Sequence, residues 1–423
     1  MRVLIVNTSE NAGGAAVAAH RLMETLNKNG VKAKMLVREK VSDGLTIVPL
    51  PQSFRLRWNF LWERLCIFLH LHLSRKSLFE IDIANTGTDI TALREFQEAD
   101  IIHLHWINQG MLSLKNIRKI LDSGKPVVWT MHDIWPATSI CHLTLGCTNF
   151  TQRCQHCKYL PNGGGKRDLS ARVWKRKEEM LNGHRIHFVA CSRWLADEAR
   201  KSALLSNQPV TSIPNPIDTS VFSPTDKNAA RQRLSLPADK RLLLFVSQRV
   251  TNRNKGMTFL VDACRKLVAD NPKFRENTGI VILGGHSEEL ENAFELPTFA
   301  LGYVSDTQKI VDVYNAVDLF ILPSLSENLP NTIMEAMACG KPCIGFEVGG
   351  IPEEIDHLRN GYVAKFMDAD DLAKGIHWVL DEADYQSLSQ SALQKVARNY
   401  SQQNVAARYI ELYSEISHTP FKP

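Results

Sequence analysis

Cysteine is scarce: nine residues in a chain of 423. At about 2% of the chain and an odd number, it excludes a disulfide scaffold, and a chain this long buries enough apolar surface to need none. Long apolar runs are also missing. The strongest, Leu65 to Leu73, is interrupted by His70 and His72 and falls far short of the ~20 residues that span a bilayer. The opening Met-Arg-Val-Leu-Ile-Val-Asn has no charged leader and no small-residue cleavage site, so the chain is read as cytoplasmic, with reduced thiols. Charge of one sign is barely in excess. Fifty Lys+Arg against 45 Asp+Glu leave +5, too small and too dispersed to argue for nucleic acid. An apolar fraction of 44% with 22% charged residues excludes disorder as the main state. Two or three domains are expected at roughly 150 residues each.

What is present is a repeated alternation of short apolar strands and amphipathic helices. Residues 3–7 form a strand, Ser9 to Gly14 a loop, Ala15 to Asn29 a helix stopped by Gly30, and Lys32 to Arg38 a second strand. That opens a parallel α/β sheet. Further strands are predicted at 101–105, 127–132, 188–192 and 210–213. Pro214-Asn215-Pro216 forbids continuing regular structure, and the alternation then resumes with strands at 242–247, 279–283, 299–304, 318–322, 342–346 and 361–363. The fold class is therefore α/β, with two Rossmann-like doubly wound domains facing across a cleft. The first is placed at 1–207, a linker at 208–222, the second domain at 223–400, and a C-terminal helix, 401–423, is expected to return to the first domain. Ligands in such folds bind outside the carboxyl ends of the strands.

The loops after strands carry the chemistry. The strand ending at Leu322 is followed by a loop with Glu327 and a helix starting near Asn331, with Glu335 in its second turn and Gly340 as its stop. N–H groups at a helix start favour anions, and two carboxylates eight positions apart can hold hydroxyls on either side of a diphosphate. A lone pair of glutamates would otherwise read as a solvated loop residue and a helix-start residue. Gln248 to Gly256 follows the first strand of the second domain and carries Arg249, Arg253 and Lys255; Arg grips two oxygens and Lys acts as a point charge. Gly13-Gly14 lets backbone approach a phosphate closely, while Asn11 to Ala16 lacks the G-x-G-x-x-G spacing of dinucleotide sites. His132 is predicted to end a strand, and His103 and His105 alternate on a neighbouring one, where packing is the preferred explanation. No Asp-x-Asp pair stands on a strand end to hold a metal on a diphosphate.

The string Pro323-Ser-Leu-Ser-Glu327-Asn-Leu-Pro-Asn-Thr-Ile-Met-Glu335 to Pro342 resembles the E-x(7)-E element of retaining glycosyltransferases of family 4, which have the GT-B fold. Gly13-Gly14, His132-Asp133-Ile-Trp-Pro136, Cys191-Ser-Arg-Trp194, Ile213 to Asp218, Lys255-Gly256, Gly284-Gly285, Gly302-Tyr303-Val304 and Gly349-Gly350-Ile-Pro-Glu353 extend the resemblance through nearly the whole chain. It implies that Glu327 holds hydroxyls of the transferred sugar and Glu335 the ribose of the nucleotide. It puts backbone of Leu329, Pro330, Asn331 and Thr332 along the sugar and diphosphate, and Tyr303 and Val304 against the base. Lys255 with Arg249 (Arg253 is the alternative, since Arg249 is one position further from the lysine than usual) would neutralise the leaving diphosphate. His132 would touch the donor sugar, and Gly13-Gly14 would lie over the diphosphate and acceptor. Transfer is then a metal-independent, same-face displacement from a UDP- or GDP-sugar to a glycan or lipid-linked glycan, as in building a surface polysaccharide such as lipopolysaccharide or capsule. An epimerase or hydrolase of the same fold, and a non-catalytic sugar-binding scaffold, are the competing expectations.

Two features stand apart. Cys141, Cys147, Cys154 and Cys157 lie within 17 residues, a segment similar to a Cys-rich insert of a polysaccharide-building branch of that family. Four thiols in a reduced compartment suit a structural zinc with no open position; four free thiols are the alternative. No cofactor is required for the transfer itself. Residues 53–76 place Phe54, Trp58, Leu61, Leu65, Leu69 and His72 on one helical stripe among Arg55, Arg57, Arg64, Arg75 and Lys76. That pattern fits a helix on an anionic membrane surface at the inner face of the cytoplasmic membrane, but the breadth of the apolar face favours burial in the first domain.

Overall fold

The computed structural model describes residues 1–51 and 54–417, without the side chains of Phe54 and Arg55. Ser53, which opens the basic aromatic segment, and the last six residues of the predicted C-terminal helix lie outside them. The chain forms two compact units, residues 1–215 with the chain from Val405, and Pro216–Asn404.

The first unit is a seven-stranded parallel sheet in the order β3-β2-β1-β4-β5-β6-β7. In chain order its elements are β1 (Arg2–Ser9), α1 (Gly14–Lys28), β2 (Lys32–Glu39), β3 (Ile47–Pro49), α2 (Phe54–His70), α3 (Arg94–Glu98), β4 (Ile101–Leu104), α4 (Leu114–Asp122), β5 (Val127–Met131), α5 (Leu169–Leu181), β6 (His187–Ala190), α6 (Arg193–Arg200) and β7 (Val210–Ser212). Six consecutive residues of β1, Val3 to Thr8, are buried, as expected of a central parallel strand covered on both faces. Helices start at side-chain acceptors and stop at glycine. Asp168 and Ser192 accept the first-turn N–H groups of α5 and α6, and Gly30 takes a left-handed turn after α1. The strand β3 is absent from the sequence reading. It is three residues long and ends in proline, which only an edge strand tolerates.

The second unit holds α7 (Lys227–Arg233), β8 (Arg241–Arg249), α8 (Met257–Asp270), α9 (Lys273–Asn277), β9 (Thr278–Gly285), β10 (Thr298–Ala300), α10 (Thr307–Ala316), β11 (Leu319–Leu322), α11 (Asn331–Ala338), β12 (Cys343–Phe346), α12 (Ile351–Glu354), β13 (Gly361–Ala364), α13 (Ala369–His377) and α14 (Tyr385–Asn399). Its parallel sheet runs β10-β9-β8-β11-β12-β13. The predicted strand at 299–304 is cut to three residues because Gly302 turns left-handed after it. Residues 216–222, read as linker, pack into this unit. Ile217 is buried and donates its N–H to Tyr400 O, and the Phe222 ring meets Tyr314 edge-on.

The final helix, α15 (Gln402–Ser417), re-enters the first unit. Val405, Tyr409, Leu412 and Tyr413 join Val3, Ile5, Val128 and Val189 in one apolar cluster. The two tyrosine hydroxyls reach through it: Tyr413 OH to His103 Nδ1 at 2.7 Å, and Tyr409 OH to Thr130 Oγ1 at 3.0 Å.

The sequence favoured burying the apolar stripe of residues 53–76, and the structure reverses this. Trp58, Leu61, Trp62, Leu65 and Leu69 are 43 to 55% exposed, while Glu63 and Arg64 point inward. The reason lies in residues 78–84. Glu63 accepts N–H groups from Ile83 and Ala84, and Arg64 donates to Leu78 O and pairs with Asp82. Buried charges are tolerated only when partnered in this way, and those partners decide which face of α2 turns in.

Candidate functional site

In the second unit four loops leave the carboxyl ends of β8, β9, β11 and β12. The loop after β8 folds tightly onto the loop after β11. Leu325 N donates to Asn254 O at 2.8 Å and Asn254 Nδ2 to Ser326 O at 3.1 Å. Gly256 makes this possible: at φ +68°, a Cβ there would stand 1.7 Å from Pro323 O. Gly349, in the loop after β12, does the same from the other side. Its φ is +59°, and a Cβ would stand 1.7 Å from Glu327 O. The loop carrying Glu327 is therefore held between two glycine turns.

Lys255 and Glu327 meet there, Nζ to Oε1 at 2.5 Å, with side chains 26% and 14% exposed. Glu335 sits in α11, almost buried, and its Oε2 accepts from Tyr314 OH at 2.8 Å. The helix α11 starts after Pro330 with no side chain capping its first turn, so its dipole and N–H groups favour an anion at that end. Leu329 and Pro330 are buried, and Asn331 and Thr332 are half-buried. Arg249 and Arg253 are exposed, Arg249 at the end of β8 beyond a bulge. Tyr303 is 65% exposed in the loop after β10, with Val304 half-buried beside it.

In the first unit Gly13 precedes α1 at φ +90°, and Gly14 is the helix's first residue. His132 lies one residue past β5 rather than at its end. It belongs to a row of histidines carried by β4, β5 and the turns after them, with His103 and His105 buried and His132 half-buried. His105 Nδ1 meets His132 Nε2 at 2.9 Å, the His103 and His105 rings lie 4.3 Å apart, and His103 Nε2 meets Thr130 Oγ1 at 2.7 Å. Burial pushes His103 down to about 3, His132 down to about 4, and His105 well below the usual histidine value. All three rings are neutral at pH 7. The packing explanation favoured for His103 and His105 matches their 0% and 3% exposure.

A second, charged chain runs beside this row. His142 bridges Asp133 Oδ2 at 2.7 Å and Asp82 Oδ2 at 2.6 Å. Burial alone would push its pKa down, but the two carboxylates outweigh burial and raise it to about 10. The imidazolium thus donates to both carboxylates. Asp133 also accepts from Trp106 Nε1 and Trp135 N, which fixes the turn carrying His132. The sequence reading missed His142. It stands next to Cys141, where the thiols are the stronger signal in the sequence, and its partner Asp82 is 60 positions away.

All four clustered cysteines line one cavity of about 20 Å³, together with Tyr159 and Ser170. They are free thiols, and burial pushes Cys154 and Cys157 up to about 12. Among the described residues no three His, Cys, Asp or Glu side chains are arranged to hold a metal ion.

Residues 12–221 match the family described as Glycosyltransferase Family 4, and residues 240–382 match Glycosyl transferases group 1. A D-inositol 3-phosphate glycosyltransferase of Thermobispora bispora is 29% identical over 236 residues, 52% of this chain and 54% of that protein. The enzyme of the same name from Nocardiopsis dassonvillei is 23% identical over 394 residues, 88% of this chain and 82% of that one. The chain spans about half the length of the first of these relatives. Among solved structures, Anabaena HepE in complex with UDP superposes with a TM-score of 0.65 at 18% identity, over 98% of this chain and 100% of that one. HepE has also been solved with UDP-glucose. The likeness at this identity establishes the fold: two parallel α/β units of the GT-B kind.

Proposed function

The chain belongs to the glycosyltransferases of family 4, and on that premise we propose that it moves a sugar, with retention and without a catalytic metal, from a nucleotide diphosphate sugar to a glycan or lipid-linked glycan acceptor in surface polysaccharide assembly. The observation that carries the proposal is the Lys255–Glu327 pair, wedged between two glycine turns beside the uncapped start of α11. A cation, a carboxylate and helix N–H groups at one place suit the two ends of a sugar diphosphate. HepE, solved with UDP and with UDP-glucose, supports the same donor class.

In this reading Lys255, with Arg249, stabilises the leaving diphosphate. Preorganised charge of this kind is commonly worth several kcal/mol. The bond from the sugar's anomeric carbon to the phosphate oxygen breaks, the acceptor oxygen bonds to the same face, and its proton passes to the released phosphate. Glu327 holds sugar hydroxyls, and Glu335, oriented by Tyr314, holds the ribose. Leu329 to Thr332 supply backbone groups, with Pro330 offering only its carbonyl. Tyr303 and Val304 contact the base. Gly13, Gly14 and His132 keep their donor-side roles. His132 would have to release a ring nitrogen from His105 or Cys191 to take a hydroxyl. For the cysteine quartet we propose a structural zinc clip; the shared cavity supports it, although among the described residues no three thiols are already arranged around a metal position.

A thermal-shift and turnover panel of UDP- and GDP-sugars tests the donor, since a ligand that binds the folded state raises its melting point. One donor should stand out, Lys255→Ala should lower its turnover about tenfold or more with the fold intact, and Glu327→Ala should weaken the sugar nucleotide more than the free nucleotide. Wild-type turnover in Lys255→Ala, or no stabilising donor, overturns the assignment.

A further inference from the structure

The outward face of α2 is an apolar feature the transfer reaction does not use. Trp58, Leu61, Trp62, Leu65 and Leu69 recur every three or four residues on one side of the helix, each 43 to 55% exposed. The Trp58 and Trp62 rings stack at 6.2 Å. Leu73, past the helix end, is 62% exposed as well. A contiguous apolar face of this kind marks an interaction surface rather than scattered exposed leucines. Its opposite face is pinned inward by Glu63 and Arg64, so the stripe cannot roll into the core.

We propose that this face docks on an anionic lipid bilayer. The charges around it choose the occupant. From Arg57 to Glu80 the exposed charged side chains are Arg57, Arg75 and Lys76 against one exposed acid, Glu80, while Glu63 is buried. Beside the stripe, Trp62 and Cys66 form one wall of a recess of about 570 Å³ whose rim carries Lys115, Arg118 and Arg176, with Glu179 the one acid. An apolar face with a cationic rim suits a layer of acyl chains under anionic headgroups, with tryptophans at the headgroup level. A second copy of the chain suits it less, because two-fold pairing of one face with itself would set the arginines and lysines of each copy toward like charges. The proposal does not rest on the glycosyl-transfer reading, but it places that reaction at a surface where a lipid-linked acceptor would lie.

Co-sedimentation of the full chain with vesicles tests it, using phosphatidylcholine alone and phosphatidylcholine mixed with phosphatidylglycerol. Binding should require the anionic lipid, weaken with salt, and shift tryptophan emission to the blue. Trp58→Ser with Trp62→Ser should lower vesicle binding about tenfold or more, and Arg75→Glu with Lys76→Glu should lower it with the tryptophans intact. Both pairs are exposed, so melting temperatures and donor turnover in solution should match the wild type. Absent binding to the anionic vesicles, or binding that neither pair changes, overturns the proposal. So does a concentration-dependent dimer by light scattering that the tryptophan pair abolishes, since it assigns the face to a second copy.

Discussion

Gly349→Ala separates the geometry around Glu327 from ordinary backbone strain. The residue's φ is +59°, and an added Cβ would stand 1.7 Å from Glu327 O. Ordinary contact begins at 3.4 Å, so the two backbones would have to part by about 1.7 Å. Left-handed backbone costs a non-glycine residue roughly 1–2 kcal/mol. That cost is shared by Gly124, which has φ +74° and nothing within 4 Å of a built Cβ. Gly124→Ala is therefore the control, with the strain and without the clash. Displacing a positioned catalytic group by about 1 Å can cost about 100-fold in rate. Gly349→Ala should accordingly lose about 100-fold in donor turnover and melt below Gly124→Ala, whereas Gly124→Ala should keep wild-type turnover. Differential scanning fluorimetry and a released-nucleotide assay read both quantities. If the two variants match in melting point and turnover, the contact with Glu327 does not set the position of that carboxylate, and the reasoning fails.

Three further outcomes follow from the buried polar groups. Tyr413→Phe removes the partner of His103 Nδ1. Leaving a buried group unsatisfied should cost about 1–3 kcal/mol, read as a lower urea midpoint; an unchanged midpoint refutes the role of α15 as a polar partner. The folded pKa values of His103 and His105 lie below the unfolded value. Their contribution is therefore present above pH 6.5 and is lost as pH falls toward the folded values, about 2 kcal/mol at pH 5 for His103. Urea titrations at pH 7 and pH 5 check this, and a His103→Asn variant should lose less between them than the wild type. Protein purified without chelator should carry about one zinc, released when the thiols are oxidised; a metal content far below one equivalent removes the clip and leaves four thiols.

The strands were legible because parallel-sheet cores are written as unbroken apolar runs: residues 3–7 and 319–322 read as strands on sight and are buried along their length. The loops after them are legible by order and spacing, and Glu327 and Lys255 stand out through the family resemblance of the strings that carry them, not from residue types alone. Their contact was not, because it depends on Gly256 and Gly349 bringing in backbone from two other loops. Periodicity revealed a stripe on α2 without saying which side faced in. That answer lay in hydrogen bonds from Glu63 and Arg64 to residues 78–84, which no pattern within the helix encodes. His142 was hidden for the same reason, since its meaning comes from two carboxylates, one of them distant in sequence.

The return of α15 has a consequence for how the molecule comes into being. The second unit, Pro216–Asn404, is an insertion in the first, so all of its sheet emerges during synthesis before the first can be finished. Until Tyr409 and Tyr413 arrive, the face of the first sheet bearing Val3, Ile5 and Val128 lacks part of its cover, and His103 Nδ1 lacks its partner. The earliest-made unit is thus the last to close. A chain that stops at Asn404 would carry its defect at the far end of the sequence, in a sheet that began at residue 2.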